Sequence, residues 1–390
     1  MRWSREINVR FSLIAENSEL MSISCQKRFH QGGSLSGGPF MSCDNKVSYN
    51  SKTPSDLKGS QMAGYLDSIP HPWTRQHIQT AIMSDFRTVQ KSIEQTQGGQ
   101  LWRGMKELDD ALWVFTKSTD ELLDQINTFG EKSKDPQFWH RTNQKNSEVF
   151  TLEVKRKLYY CTSSLMTVVD ISRSFNNKWQ LENLAEKRNE FFSTPGLHDF
   201  LQKLRNFSSH WRIAEANWII MNDFKNGTRI ASFVISKDEL LEWGDWGSKA
   251  RIYIEETKQN IDVYKIITQY KKHVQLYYSW HKGALIDRYT SILQPFFGYK
   301  KIHEGLQQQF MWNMILSNLP AGMNPYQHLA RYLSNNQIEL ILSYEHRSEQ
   351  QVDALITMLG MGEFCDTQLK AKVMRVFGVA TTKTDLNRHT

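Results

Sequence analysis

Apolar residues recur at steps of three and four along most of this chain, the period of an amphipathic helix. From Trp73 to Gln97 the repeat is carried by Ile78, Ile82 and Phe86, and from Leu101 to Phe129 by Leu108, Leu112, Phe115, Leu122, Leu123 and Ile126. Gln97-Gly98-Gly99-Gln100 reads as the connection between these helices, short enough to favour antiparallel packing. A longer helix is expected over residues 146–175 on Val149, Leu152, Leu158, Leu165, Val168 and Val169, with Lys155, Arg156 and Lys157 on a solvated face. Ser193-Thr194-Pro195 supplies a cap and a first-turn proline, so the next helix should start near Pro195 and run through Trp211. Its broad apolar face carries Leu197, Phe200, Leu201, Leu204, Phe207 and Trp211.

After that helix the pattern changes to short apolar runs, Trp218 to Met221 and Ile230 to Ile235, around Asp223-Phe224-Lys225-Asn226-Gly227. This predicts a β-hairpin near residues 217–235. Ser236 then caps a short helix ending near Trp243, and Ile261 to Trp280 forms a long helix with an aromatic stripe of Tyr264, Tyr270, Tyr277, Tyr278 and Trp280. From Ile286 onward come Pro295, a helix from about Glu304 to Asn318, the breaker Leu319-Pro320-Ala321-Gly322 and further helices to about Phe377. The expected class is therefore mainly α: a helical bundle over residues 62–283 with a small β-hairpin insertion, and a separate C-terminal helical domain over 284–378. Residues 1–61, rich in Ser, Gly, Asn and Lys, read as a disordered tail, and residues 379–390 as a frayed one.

Composition narrows the chemistry. With 390 residues and 39% hydrophobic content, the chain can build substantial cores. A charge of +7, from 48 basic and 41 acidic residues, leans mildly toward an anionic partner, although no run of like charges concentrates it. Cys25, Cys43, Cys161 and Cys365 are dispersed, without zinc-ligand spacing, which argues against structural zinc and for a reducing compartment. No apolar run is long enough for a membrane span or a signal-peptide core, so a cytoplasmic protein is expected, with no metal and no cofactor. His71 and His77 read as turn and helix-start residues, and His328 and Arg331 as surface residues.

One hexad carries chemistry: Arg205-Asn206-Phe207-Ser208-Ser209-His210. An Arg followed five positions later by a His arises by chance roughly 0.6 times in such a chain, and roughly 0.03 times when Asn must follow the Arg. Arg205, Asn206 and His210 resemble the R-[polar]-x3-H motif of nuclease members of the HEPN superfamily, small helical bundles with this motif on a late helix. With Asp238 to Trp243 and the aromatic-rich helix beyond, the segment order is similar to that of a group of bacterial HEPN-like proteins, over about residues 146–282. The resemblance implies RNA cleavage without metal, in a defence or toxin-related setting, by a homodimer.

The residue types fit that chemistry. His210 would exchange protons with the ribose 2′-hydroxyl or the leaving 5′-oxygen, the usual work of an imidazole in acid–base catalysis. Arg205 would offer its guanidinium fork to the phosphoryl oxygens, and Asn206, four residues before His210, would orient the imidazole. Residues five apart on a regular helix diverge by about 140°. Arg205 and His210 therefore meet only if the helix loosens near His210 or if two chains form a composite groove, and the second is preferred. The alternative is a non-catalytic helical module that binds a partner or nucleic acid.

Overall fold

The computed structural model describes residues 64–210, 214, 216–223, 228–320 and 322–379. The tail expected over 1–61, the hairpin turn, Trp211 and the residues after 379 lie outside the described residues, as do Cys25 and Cys43. The described residues form one compact unit of mainly α structure. Its helices are α1 (Arg75–Gln95), α2 (Gln97–Lys132), α3 (Gln144–Lys178), α4 (Leu184–Phe191) and α5 (Leu197–His210). Strands β1 (Ala216–Asp223) and β2 (Thr228–Ile235) follow, then α6 (Lys237–Leu241), α7 (Ser248–Glu256), β3 (Ile261–Asp262) and α8 (Val263–Arg288). The chain continues with α9 (Thr290–Ser317), α10 (Asn335–Ser343), α11 (Glu349–Met358) and α12 (Thr367–Phe377). Among the described residues no helix is long and apolar enough to cross a membrane.

The first two helices meet more tightly than their sequence implies. Gln97 to Gln100 forms the opening turn of α2, not a linker, and the break is Thr96 alone, at φ −58° and ψ 157°. The Thr96 hydroxyl caps α2 by accepting from the Gly99 amide at 3.1 Å. The glycines serve close approach: a Cβ on Gly98 would stand 2.2 Å from the Ile292 carbonyl oxygen, and one on Gly99 would stand 2.6 Å from that of Glu94.

In α3, Leu158, Leu165 and Val168 are buried as expected, whereas Val149 and Leu152 are 57% and 63% exposed. The solvated basic face of α3 has partners: Arg156 pairs with Glu153 at 2.7 Å and covers the Tyr160 ring at 5.2 Å. Lys157 reaches α2, donating to Gln125 Oε1 at 3.2 Å.

The hairpin is present, β1 pairing antiparallel with β2 from Ala216↔Ile235 to Asp223↔Thr228. Ile261 and Asp262, expected as helix, instead add β3 to its edge opposite Ile235 and Val234. The hairpin packs on the end of α2 through Phe233, whose ring lies 4.7 Å from that of Phe129. The main core gathers α2, α3, α5, α7, α8 and the hairpin around residues such as Phe115, Leu158, Phe207, Trp246 and Tyr270.

The boundary expected near residues 283–300 falls on the α8–α9 junction at Tyr289, and α9 runs through it. The early part of α9 packs Phe296 and Tyr299 on Trp73, Ile78 and Val89, while its far end supplies Trp312 to a second cluster with Leu333, Ile341, Leu355 and Val373. The helix begins at Thr290, well before Glu304, and Pro295 sits within it. Six residues into the helix, Pro295 lies past the first turn, so α9 forgoes one i→i−4 amide bond there.

Candidate functional site

The apolar face of α5 determines which way its polar residues point. Leu197, Phe200, Leu201, Leu204 and Phe207 are all buried. Phe200 and Phe207 stack on Trp246 with centroids 5.5 Å and 5.4 Å away, and Phe207 meets Trp243 edge-on at 5.6 Å. Each such ring contributes about 1.5–3 kcal/mol by burial, enough to hold one rotation of the helix about its axis. The helix starts at Leu197 and not at Pro195, because Gly196 adopts φ +72° where a Cβ would stand 2.6 Å from the Lys249 carbonyl oxygen. Thr194 is not the cap; its hydroxyl accepts from Gln269 Nε2 at 2.6 Å.

Arg205 and Asn206 are half-buried and His210, the last residue of α5, is exposed. The Arg205 guanidinium donates to Asn206 Oδ1 at 3.3 Å, so Asn206 is engaged with Arg205 and not with His210. On α3, Tyr159 lies beside this group: the Ser209 hydroxyl first, then Ser163 and the positive charge of Arg205, hold its phenol below the ordinary tyrosine range. His198, Gln202, Arg205 and Ser209 follow one another at four-three-four spacing, which places them on one side of α5. The helix is unbroken through His210, so the loosening that would swing His210 toward Arg205 is not present. Within one chain the two remain about 140° apart around the axis.

At the other end of that polar strip lies a cleft of about 270 Å³ between α3, α4, α5 and α8. Gln202 Nε2 stands 2.6 Å from His198 Nε2, and His198 Nδ1 stands 2.6 Å from the Tyr270 hydroxyl. Burial pushes the His198 imidazole down to about 4, against the opposing pull of Asp199, so the ring is neutral near pH 7. The His198–Tyr270 contact spans 72 positions and left no local trace in the sequence, where Tyr270 reads only as part of an aromatic stripe.

Among the described residues no group of three or more His, Cys, Asp and Glu side chains is placed to hold a metal ion. Two of the nearby carboxylates are engaged, Glu190 with Lys187 at 2.7 Å and Glu182 with Arg288. Cys161 is buried, its thiol pushed up to about 11, and Cys365 is half-buried. His77 completes the capping box of α1 with Thr74, and the His71 ring lies tilted against that of Trp73 at 4.3 Å. His328 and Arg331 lie on a 3-10 helix, half-buried and exposed respectively.

No family model, curated protein or solved structure matches the chain. The fold defines a mainly α protein in which one amphipathic helix presents a polar strip containing Arg205 and, on a different side, an exposed histidine at its end.

Proposed function

We propose that this protein is a metal-independent endoribonuclease of the HEPN type, working in the cytoplasm as a homodimer whose facing α5 helices assemble the groove. The observation that carries the reading is the exposure of His210 at the end of a helix whose opposite side is anchored in the core. Exposure leaves the imidazole open to a substrate, as a general acid or base must be. In this reading one chain's His210 meets the other chain's Arg205 across the two-fold axis. The ribose 2′-oxygen forms its bond to phosphorus as the bond to the 5′-oxygen breaks. The imidazole removes the 2′-proton and the 5′-oxygen leaves with a proton from water, whose hydroxide takes the proton back from the imidazolium, giving a 2′,3′-cyclic phosphate and a 5′-hydroxyl. Arg205 stabilises the charge that builds on the phosphoryl oxygens. Tyr159, beside Arg205, is a further phosphate donor that the sequence motif does not contain.

The test is cleavage of RNA by the full chain in chelator, comparing wild type with His210→Ala and Arg205→Ala. Each substitution is expected to lower the rate by at least about a hundredfold, the usual contribution of a positioned acid–base group. Cleavage that survives His210→Ala, or that requires magnesium, overturns the mechanism.

A second reading, a non-catalytic helical module that binds RNA or another partner, is favoured by the Arg205–Asn206 contact, which directs the guanidinium to its own helix. It predicts no cleavage by wild type, with partner or RNA retention that persists on both Arg205→Ala and His210→Ala.

A further inference from the structure

We propose that the cleft between α3, α4, α5 and α8 is a binding site for a nucleoside monophosphate. The inference does not rest on RNA cleavage, since neither Arg205 nor His210 lines the cleft. About 270 Å³ is at the small end of ligand pockets, a fit for one nucleotide and not for a polymer.

Three features converge on that chemistry. The first is an aromatic wall: Phe192 lies 5.5 Å from both Tyr270 and Tyr277 and 5.1 Å from His198. Aromatic rings of this kind offer faces on which a base stacks. The second is a pair of amides, Gln202 and Asn176, each fixed by neighbours: Gln202 by His198 at 2.6 Å, Asn176 by His281 at 2.8 Å and by the Ser172 hydroxyl at 3.3 Å. Amide side chains pair with the donor–acceptor edges of bases, and a supported amide keeps its orientation. The third is charge. No carboxylate lines the cleft, while Arg173 and Arg188 stand among its lining residues. Arg173 is held by Asp170 at 3.2 Å, whereas among the described residues Arg188 makes no ion pair. Arg188 lines the cleft beside His198 and Tyr277. An unengaged guanidinium over an apolar, carboxylate-free cleft favours a phosphate at the end of a planar ring system.

The experiment is calorimetric titration of the full chain with 5′-AMP and 5′-UMP, with adenosine and inorganic phosphate as half-ligand controls. At least one nucleotide is expected to bind saturably, and both controls about tenfold or more weakly. Arg188→Ala changes an exposed side chain and should weaken nucleotide binding about tenfold. Ala185→Trp, on the rim of α4, should block it. His210→Ala should leave it unchanged, which separates this site from RNA cleavage. The proposal fails if neither nucleotide binds at concentrations up to about 10 mM. It fails equally if binding is indifferent to Arg188→Ala, a result that stands even should the tryptophan variant misfold.

Discussion

His198 and His281 sit where a proton is costly. Burial drives each imidazole down to about 4, far below the ordinary histidine value of 6.5. The unfolded chain takes up these protons near pH 6.5, whereas the folded protein resists them until about pH 4, so stability falls as the pH drops through that window. Each histidine contributes on the order of 2 kcal/mol to the decline. Denaturant melts between pH 7.5 and 4.5 should show it, and His281→Gln, which keeps a donor for Asn176, should make the decline shallower. An equally steep decline in that variant would show that other groups set the acid sensitivity. Arg205 gives the complementary lesson: a long side chain of one charge took the nearest acceptor, Asn206, and left the imidazole expected to share it without that partner.

At the scale of elements, two glycine positions are governed by what presses on them. Helix propensity alone says that Gly98→Ala should stabilise α2 by roughly 1 kcal/mol. The Cβ would stand 2.2 Å from a backbone oxygen of α9 and 2.7 Å from the Phe296 Cβ, and neither is the flexible end of a side chain. Forcing these helices apart costs about 1–3 kcal/mol, so the net change is expected to be destabilising, with a lower Tm in thermal unfolding. A raised Tm would mean that α9 yields where α2 touches it. Gly196, with its left-handed φ of +72°, similarly decides where α5 begins and therefore which residues face the cleft.

For the molecule as a whole, the decisive question is whether one chain holds a complete site. The regular helix through His210 separates it from Arg205, so the proposed enzyme requires two copies. Mixing equal amounts of Arg205→Ala and His210→Ala chains tests this directly. Half of the dimers are then mixed, each with one of its two composite grooves intact, and activity should return to about a quarter of wild type. Two inactive chains that stay inactive on mixing, while sedimenting as mixed dimers, would place both groups of a working site in the same chain. The continuity of α9, packed on α1 at one end and carrying Trp312 into the C-terminal cluster at the other, joins both regions into one unit. Destabilisation of the C-terminal helices is thereby expected to reach α1.

Helices, hairpin and the buried face of α5 were legible in the order of residues, because periodicity and capping act over a few positions. Ile78, Leu122, Leu165 and Phe207 entered the core as their spacing requires, and Ser236 capped α6 through the Glu239 amide. The motif residues were legible as types in a pattern, and their exposed or half-buried positions follow from the helical angle. The sequence did not contain the contacts that span tens or hundreds of positions: Gly98 beneath Ile292, β3 along β2, His198 against Tyr270, Arg205 beside Tyr159. Local preference chooses the element, but steric fit and the burial of polar groups depend on which surfaces the folded chain brings together, and only the tertiary structure decides that.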